Sequence, residues 1–416
     1  MAKYKIIGGN TLSGKIHIES AKNSVLALLA GAFLTDEEVI INNCPKIQDV
    51  LSMLEILSYL GVKCLFQEDK LIINARHKKG FCVPKILTEK LRSSTYMMGS
   101  LLSIYKKAQI YYPGGCNIGK RPIDLHLYAF KKLGALVQIE DEMIKLDKHD
   151  DKGGIVIFSF ASVGATINTI LSAVLLDGKT VIYNCAKEPE IVDLANFLNS
   201  MGARISGAGG SRIEIEGVKK LHGTTYTPIC DRIELGTYIL AGAINGGEIE
   251  FYNAKIKNIE ILTHKISNIS CKITSNNDII YTKFKGKLNS FNIETGPFPK
   301  FPTDLQPQAM VYLCYGNGLS LVRETLFESR FNHVNDLIKM GADITVNGKV
   351  AIVNGVGKLT GAKVRAGDLR GGASLVLAGL NAEGTTIVED CFHIERGYLN
   401  MVEKLSSLGA NVTKEQ

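Results

Sequence analysis

The sequence lacks the cysteine and histidine spacings that mark disulfide frameworks and zinc sites. It contains nine cysteines, an odd number, with no C-x-x-C pair, and its eight histidines form no H-E-x-x-H pattern. The odd count and the missing pairs argue against a disulfide-stapled secreted fold and against a structural metal ion. We therefore expect no metal ligand set in this chain.

Long apolar runs and long basic runs are also missing. The longest apolar stretch, from Val25 to Leu34, is too short to span a membrane, and residues 1–5 lack the apolar core of a signal peptide. The net charge of +7 is dispersed, with basic runs no longer than pairs such as Lys78-Lys79. These features predict a cytoplasmic protein that binds neither membrane nor nucleic acid.

Arginine is scarce, although basic residues are not. Of 48 basic residues only 11 are arginine. An arginine kept beside Gly, Pro or Asp in such a lysine-rich chain indicates a need for a rigid, bidentate partner of phosphate or carboxylate. Arg121, Arg370 and Arg396 fit this description best, and Arg92 and Arg232 fit it less well.

A repeated sequence pattern divides the chain into six units. The pattern Leu/Met-Gly-Ala/Val closes helical segments at Gly61, Gly134, Gly202, Gly341 and Gly409, at successive intervals of 73, 68, 139 and 68 residues. A degenerate copy at 266–269 fills the doubled interval. A chain of 416 residues is too long for one ordinary core, so six similar units predict two domains of three units each.

Each unit follows one plan of a small-residue apolar helix, a strand, a second helix and one or two further strands. The predicted first helices are 24–34, 93–104, 165–176, 235–244, 305–315 and 373–380. The predicted strands that follow them are 39–42, 109–112, 180–183, 248–251, 319–322 and 385–388. The second helices include 49–60 and 193–201. Small residues let helices approach closely, so we expect helices buried inside sheets, with a ligand cleft between the two domains.

The stretch from Tyr111 to His126 carries the strongest chemical signal. Cys116 lies in a glycine loop ahead of Lys120 and Arg121, and neighbouring cations favour a reactive thiolate. The alternative is a small buried hydrophobe, a common state of free cysteine. The segment from Gly114 reads G-x-x-x-x-G-K, but Arg121 stands where a P-loop needs Ser or Thr for magnesium. We therefore expect an anion-binding loop and reject a nucleoside triphosphatase.

Two further positions have both a functional and a structural interpretation. Lys22-Asn23 at a helix start can bind an anion, or can be an ordinary helix cap beside a solvated lysine. Asp304 follows the proline-rich segment 296–302, where it can be a helix cap or a general base that takes a proton from a hydroxyl group.

Seven motifs, taken together, resemble the UDP-N-acetylglucosamine 1-carboxyvinyltransferase family of enolpyruvyl transferases over the whole chain. They are Ala21-Lys22-Asn23, the loop 113–124, Ser-Val-Gly-Ala-Thr at 162–166, Phe-Pro-Thr-Asp at 301–304, Phe-Glu-Ser-Arg at 327–330, Asp-Leu-Arg at 368–370 and Glu-Arg-Gly-Tyr at 395–398. The resemblance implies an α/β fold of two inside-out α/β domains, each a threefold repeat of an α/β unit. Domain I would be 22–229, with the cysteine loop, and domain II would be 1–21 with 230–416.

The resemblance also implies the reaction. The enolpyruvyl group of phosphoenolpyruvate moves to the 3′-hydroxyl of UDP-N-acetylglucosamine by addition and elimination, phosphate leaves, and peptidoglycan synthesis begins, without metal or organic cofactor. Cys116 would be the general acid and could form an adduct with phosphoenolpyruvate or fosfomycin. Asp304 would accept the hydroxyl proton.

The remaining site residues are implied in the same way. Around phosphoenolpyruvate the resemblance places Lys22, Arg121 and Arg396, with Arg330, Asp368 and Arg370 nearby. On the sugar-nucleotide side it places Asn23, Arg92, Arg121, Pro122, Ile123, Asp124, Leu125, Ser162, Val163, Gly164 and Leu326. Domain closure over both substrates would exclude water.

Two other functions stay open from the sequence. One is 5-enolpyruvylshikimate-3-phosphate synthase, which would share fold and chemistry; the Cys116 loop and the 162–166 segment argue against it. The other is a catalytically silent sugar-nucleotide-binding protein, and the joint presence of Lys22, Cys116, Asp304 and Arg396 argues against that.

Overall fold

Helices recur along the whole chain. The computed structural model describes residues 2–114, 118, 119, 121–267 and 270–415. The α-helices of that part are α1 (Lys22–Ala32), α2 (Gln48–Tyr59), α3 (Lys85–Thr88), α4 (Met97–Tyr105), α5 (Asp124–Lys132), α6 (Val163–Ala173), α7 (Pro189–Ser200), α8 (Arg232–Asn245), α9 (Glu260–Ile266), α10 (Gln306–Tyr315), α11 (Val334–Lys339), α12 (Leu369–Leu380), α13 (Phe392–Glu395) and α14 (Met401–Ser407). Short 3₁₀ helices span Arg92–Tyr96, Ile256–Asn258 and Thr303–Leu305.

Short strands alternate with these helices. Those of the first half are β1 (Lys3–Ile7), β2 (Gly14–His17), β3 (Val39–Ile41), β4 (Lys63–Gln67), β5 (Lys70–Asn74), β6 (Cys82–Val83), β7 (Lys107–Tyr111), β8 (Ala135–Glu140), β9 (Met143–Lys148), β10 (Ile155–Ile157), β11 (Lys179–Tyr183), β12 (Arg204–Ser206), β13 (Arg212–Glu216) and β14 (Thr224–Tyr226). Those of the second half are β15 (Gly247–Tyr252), β16 (Cys271–Asn276), β17 (Ile279–Phe284), β18 (Ile293–Glu294), β19 (Asn317–Arg323), β20 (Asp343–Asn347), β21 (Val350–Val356), β22 (Lys363–Arg365), β23 (Thr385–Glu389) and β24 (Asn411–Glu415).

The strands form six four-stranded sheets with one shared pattern. Their orders are β14-β3-β5-β4, β6-β7-β9-β8, β10-β11-β13-β12, β2-β15-β17-β16, β18-β19-β21-β20 and β22-β23-β1-β24. In every sheet the first pair is parallel and the next two pairs are antiparallel. Six copies of one sheet confirm the sixfold repeat that the sequence predicts.

The glycines that define the repeat end helices as expected. Gly61, Gly134, Gly202, Gly341 and Gly409 all have φ between +82° and +97°, and they follow α2, α5, α7, α11 and α14. Such a backbone conformation is easy only for glycine, so the chain leaves the helix and turns into the next strand there.

The first helix of each unit is present, although helix bounds differ from the predicted ones by up to four residues. The predicted helix 93–104 divides into a 3₁₀ turn, Arg92–Tyr96, and α4. The second helix predicted at 193–201 begins earlier, at Pro189, because proline suits the first helical position, where its missing N–H has no partner to lose.

The described residues divide into two compact units. The first unit comprises the residues up to Glu19, the short segment that ends at Arg121, and the residues from Cys230 onward. The second unit comprises Ser20 to Gly114 and Pro122 to Ile229. Each unit holds three of the six sheets, and the N-terminal strands β1 and β2 complete two sheets of the first unit. The assignment of the two functional domains stays a prediction.

The apolar helices lie inside their units and the sheets lie outside. Every residue of α10 and α12 is buried, whereas most strands alternate between buried and more exposed residues. Small residues allow this packing: a Cβ on Gly99 of α4 would lie 2.7 Å from the carbonyl oxygen of Asn168 in α6. The predicted inside-out α/β architecture is confirmed. No helix in the described ranges is long and apolar enough to cross a membrane.

Candidate active site

Four charged residues of the first unit form a buried cluster, which we name the acid–arginine cluster: Asp304, Arg330, Asp368 and Arg370. Nη2 of Arg330 donates to Oδ1 of Asp304 at 2.9 Å. Nη2 and Nε of Arg370 approach Oδ2 of the same carboxylate at 3.3 and 3.4 Å. Nη1 of Arg330 lies 3.6 Å from Oδ1 of Asp368. Each of these side-chain contacts joins residues at least 26 positions apart, and the fold brings all four predicted residues together.

Helix starts position the cluster. Asp368 is the N-cap of α12, where its Oδ1 accepts the N–H groups of Arg370 and Gly371 at 3.0 and 3.1 Å. Asp304 lies in the 3₁₀ turn that leads into α10. Arg330 fixes that turn, because its Nε and Nη2 donate to the carbonyl oxygen of Thr303 at 3.1 and 3.0 Å. Capping thus fixes Asp368, whereas Asp304 is positioned by the 3₁₀ turn that Arg330 holds.

The exposure of the cluster is uneven. The Arg330 and Arg370 side chains are only 2% and 3% exposed, whereas the Asp304 side chain is 28% exposed. Two guanidinium groups flank Asp304, so its charge is compensated on the protein side while one edge faces solvent. A carboxylate so placed can accept a proton from a bound hydroxyl group.

Arg370 has one donor left over. Its Nη1 is buried and makes no hydrogen bond to any residue that the structure describes. Burial by itself would lower the pKa of Arg370, but Tyr398, Asp304 and Asp231 outweigh it and raise the pKa above its ordinary value. The guanidinium is therefore charged, and its carbon lies 5.2 Å from the Tyr398 ring centre. A buried N–H without an acceptor is costly, and an anionic ligand would supply the acceptor.

His333, which the sequence analysis missed, borders this cluster. It is buried, and a Cβ added to Gly371 would lie 3.2 Å from the Cβ of His333. Within the described ranges, neither ring nitrogen of His333 has a hydrogen-bond partner. Burial lowers the pKa of His333 to about 4, an effect that the charge of Asp368 only partly opposes. The imidazole is thus neutral and adds no third positive charge. No local pattern in the sequence marks it.

Arg396 belongs to the same unit. It is half-buried at the C-terminal end of α13, and after burial its charge is the main cause of the lowered pKa of His393. Leu326 is half-buried beyond the end of β19.

Part of the predicted cysteine loop lies in the first unit. The guanidinium carbon of Arg121 lies 5.7 Å from the Phe327 ring centre, and the N–H of Ser329 donates to the carbonyl oxygen of Ile118 at 3.1 Å. Gly119 has φ +132°, and a Cβ there would lie 2.3 Å from a carboxylate oxygen of Glu328. Cys116, with Gly115, Asn117 and Lys120, lies outside the described residues. The roles predicted for Cys116 stay predictions.

In the second unit, Lys22 is the first residue of α1 and Asn23 is the second. Nζ of Lys22 lies 2.9 Å from Oδ2 of Asp49, which is in the first turn of α2. Their side chains are 12% and 6% exposed. This ion pair fixes the ammonium group at the start of a helix, where backbone N–H groups also favour an anion.

His126 of this unit lies beside a second group of predicted residues. Its Nδ1 is 2.8 Å from Nδ2 of Asn168, and Oδ1 of Asn168 accepts the N–H of Gly99 at 2.8 Å. Because the amide oxygen of Asn168 is used as an acceptor, its nitrogen donates to His126, which is therefore neutral with its proton on Nε2. Burial, with a smaller effect of Arg92, lowers the pKa of His126 to about 3.

Two predicted sugar-nucleotide segments flank this histidine. A Cβ on Gly164 would lie 2.8 Å from the His126 ring, and Ser162 caps α6 by accepting the N–H of Ala165 at 3.3 Å. The other segment leads into α5, where Ile123 is buried, Leu125 is half-buried, and Pro122 and Asp124 are exposed. Val163 and Gly164 are half-buried. The sequence analysis did not single out His126 or Asn168.

The described residues contain no group of three or more His, Cys, Asp or Glu side chains that could hold a metal ion.

Comparisons with known proteins agree on one family. The family model of EPSP synthase (3-phosphoshikimate 1-carboxyvinyltransferase) matches residues 6–405. The chain is 48% identical over 415 residues to UDP-N-acetylglucosamine 1-carboxyvinyltransferase 2 of Caldanaerobacter subterraneus, covering 100% of each chain. It is 45% identical over 416 residues to UDP-N-acetylglucosamine 1-carboxyvinyltransferase of Clostridium botulinum, again covering 100% of each.

Solved structures share the fold at lower identity. The enolpyruvyl transferase NikO from Streptomyces tendae is similar with a TM-score of 0.88 at 23% identity, over 99% of this chain and 98% of that one. EPSP synthase from Acinetobacter baumannii is similar with a TM-score of 0.75 at 18% identity, over 100% of both chains.

Proposed function

The chain belongs to the UDP-N-acetylglucosamine 1-carboxyvinyltransferase family, and we propose that it catalyses the reaction for which that family is named. It transfers the enolpyruvyl group of phosphoenolpyruvate to the 3′-hydroxyl of UDP-N-acetylglucosamine and releases phosphate. The step commits the sugar nucleotide to peptidoglycan synthesis. The proposed location is the cytoplasm, which cell fractionation would test.

One observation of the site carries the proposal: the acid–arginine cluster combines a partly exposed carboxylate with a buried, unsatisfied arginine donor. Asp304 is the member that reaches solvent, and Nη1 of Arg370 has no acceptor among the described residues. The reaction needs a base for the sugar hydroxyl and positive charge for an anionic cosubstrate, and these two features supply both. Asp304 accepts the hydroxyl proton, while Arg330 and Arg370 hold it in position.

The cations divide between the two units. In the first unit, Arg370, Arg396 and Arg121 supply charge for phosphoenolpyruvate. Asp368 pairs with Arg330 and caps the helix that carries Arg370. In the second unit, Lys22 adds an ammonium group that Asp49 keeps in place. Fixed charges of this kind stabilise developing negative charge because they need no reorganisation during the reaction.

We assign the sugar nucleotide to residues at or near helix starts, together with Leu326 beyond the end of β19. They are Asn23, Arg92, Arg121, Pro122, Ile123, Asp124, Leu125, Ser162, Val163, Gly164 and Leu326. The N-cap bond of Ser162 fixes the start of α6, and the neutral His126 packs beside Gly164. Such N-terminal turns present backbone N–H groups, which suit the diphosphate of the ligand.

Cys116 completes the proposed chemistry as the general acid that protonates the methylene carbon of phosphoenolpyruvate. A proton added at carbon leaves a cationic centre at the neighbouring carbon, which the sugar oxygen attacks. Loss of phosphate and of one methyl proton then restores the double bond. Both groups act in the addition, the acid at the methylene carbon and the base at the sugar hydroxyl, so each can be tested by its own variant.

A phosphate-release assay tests the proposal. The purified chain should release phosphate from phosphoenolpyruvate when UDP-N-acetylglucosamine is present, and should release none with shikimate 3-phosphate. Release only with shikimate 3-phosphate would replace this function by that of EPSP synthase. Binding of the sugar nucleotide without release would indicate a catalytically silent binding protein.

A further inference from the structure

Glu324 is a buried carboxylate that the predicted site does not include. Its relative exposure is 0%. Oε2 accepts the hydroxyl of Thr303 at 2.9 Å, and Oε1 accepts the backbone N–H groups of Leu326 and Phe327 at 2.9 and 3.2 Å. All three of these donors are uncharged. A buried carboxylate is costly unless it is hydrogen-bonded, so these contacts indicate a specific structural task.

One oxygen of Glu324 secures the segment that carries Asp304. Thr303 immediately precedes Asp304 and is held from two sides, by Glu324 at its hydroxyl group and by Arg330 at its carbonyl oxygen. Arg330 also donates to Asp304 directly. The direction of the Asp304 carboxylate therefore depends on a turn that Glu324 helps to fix.

The other oxygen secures the segment that carries Leu326. The N–H groups of Leu326 and Phe327 both point to Oε1 of Glu324, and the Phe327 ring packs below the guanidinium of Arg121. The Glu324 side chain thus joins the Asp304 turn to the segment that contacts Arg121.

The backbone of Glu324 is itself rigidly placed. It follows the last residue of β19, and its N–H donates to the carbonyl oxygen of Lys349 at 2.9 Å. The next residue, Thr325, is fixed by two hydrogen bonds to Thr295, at 3.0 and 2.8 Å. Because the strand fixes the backbone of Glu324, the Glu324 side chain has a fixed position relative to the site.

We infer that Glu324 is a positioning residue, which holds the Asp304 turn and the Leu326–Phe327 segment in one fixed arrangement. The inference rests on the proposed function, in which Asp304 is the base and Leu326 contacts the sugar nucleotide. Glu324 is not a catalytic residue, because both of its oxygens are occupied and it is shielded from solvent. Its effect on the reaction is exerted through the geometry of its neighbours.

Two substitutions distinguish a positioning role of Glu324 from an effect of its charge. Glu324→Ala removes all three hydrogen bonds, so kcat should fall by about 10²-fold, the cost of displacing a reacting group by about 1 Å. Glu324→Gln keeps an oxygen for the two N–H groups and an amide that can donate to Thr303, so kcat should stay within about tenfold of the parent value. Equal losses in both variants would show that the charge matters and would overturn the positioning role.

Hydrogen exchange gives a readout that does not depend on activity. The amides of Leu326 and Phe327 should exchange faster in Glu324→Ala and should stay protected in Glu324→Gln. If the parent chain proves inactive with UDP-N-acetylglucosamine, the proposed function fails, whereas this exchange result still tests the positioning. Unchanged exchange in Glu324→Ala would refute the inference even if the chain is an active transferase.

Asn289→Ala is a matched control. Asn289 accepts hydrogen bonds from Ser270 and Tyr312 in the same unit. Its hydrogen bonds within the described ranges do not reach the acid–arginine cluster. This variant should unfold at lower denaturant concentration than the parent, as Glu324→Ala should, but keep the parent kcat. A similar loss of kcat in both variants would attribute the Glu324→Ala effect to general destabilisation and would contradict the positioning role.

Discussion

Replacement of Asp304 by asparagine is the sharpest test of the proposed base. The change keeps the shape of the side chain and one oxygen, which can still accept from Nη2 of Arg330, now 2.9 Å from Oδ1. It removes the charge that Arg370 faces at 3.3 Å and the ability to bind the hydroxyl proton. Loss of a general base costs about 10²–10⁴-fold in rate, so kcat should fall by that factor.

The structure also sets the expected cost in stability. Breaking a buried ion pair costs about 3–5 kcal/mol, but the Asp304 side chain is 28% exposed, so water partly replaces it. The contact with Arg330 is short and those with Arg370 are long. We therefore expect a loss of about 1–3 kcal/mol in the free energy of unfolding, the worth of one charge-assisted hydrogen bond.

The assay combines phosphate release at saturating substrates with urea unfolding. The control is Asp343→Asn, which alters an exposed carboxylate of the same unit that accepts from Asn354 at 2.9 Å; it should leave both quantities nearly unchanged. If Asp304→Asn is folded and keeps kcat within tenfold of the parent, the assignment of Asp304 as the base is wrong.

Further predictions concern Arg370, Cys116 and His333. Arg370→Lys should raise KM for phosphoenolpyruvate by about tenfold or more, because lysine cannot reproduce the planar fork beside Asp304; an unchanged KM in steady-state assays would contradict an anion-binding role. Cys116→Ala should greatly lower turnover, while calorimetry should show that sugar-nucleotide binding is intact. Mass spectrometry should place a fosfomycin label on Cys116 of the parent chain; a label elsewhere would contradict the reactive role of Cys116. Burial lowers the pKa of His333 to about 4 from 6.5, so the unfolded state binds the proton first and stability should fall as the pH drops from 6.5 to 4. The His333 contribution is at most about 1.4 kcal/mol per pH unit, and unfolding curves of His333→Gln should show a smaller fall; an equal fall in both would refute it.

The repeat and its helices could be predicted because their signals are local. Apolar periodicity and the glycine after each second helix depend on neighbours within one turn, and Gly61 and Gly341 indeed take the left-handed backbone that ends a helix. Helix α7 begins four residues before the predicted start, because Pro189 suits the first helical position although it lies outside the apolar pattern.

The strand partners could not be predicted from the same signals. The parallel edge strand of a sheet can come from a different repeat. Examples are β14, which pairs with β3, and β2, which pairs with β15. Register and partner choice depend on long-range packing, which no window of neighbouring residues contains.

The site residues also divide into those that local patterns predict and those that depend on long-range contacts. Asp304, Asp368 and Arg370 could be found because motifs carry them, yet their contacts join residues as far apart as 66 positions. Glu324 and His333 were missed because charged and polar residues are usually exposed, and no local pattern indicates that these two are buried. The hydrogen bond that Glu324 accepts from Thr303, 21 residues away, exists only in the folded chain.

The central claim is tested most directly by the product itself. UDP-N-acetylglucosamine incubated with phosphoenolpyruvate and the purified chain should yield, by mass spectrometry and NMR, the sugar nucleotide with an enolpyruvyl ether on its 3′-oxygen and one phosphate released per ether formed. Recovery of unaltered UDP-N-acetylglucosamine, under conditions in which the folded chain binds it, would contradict the account.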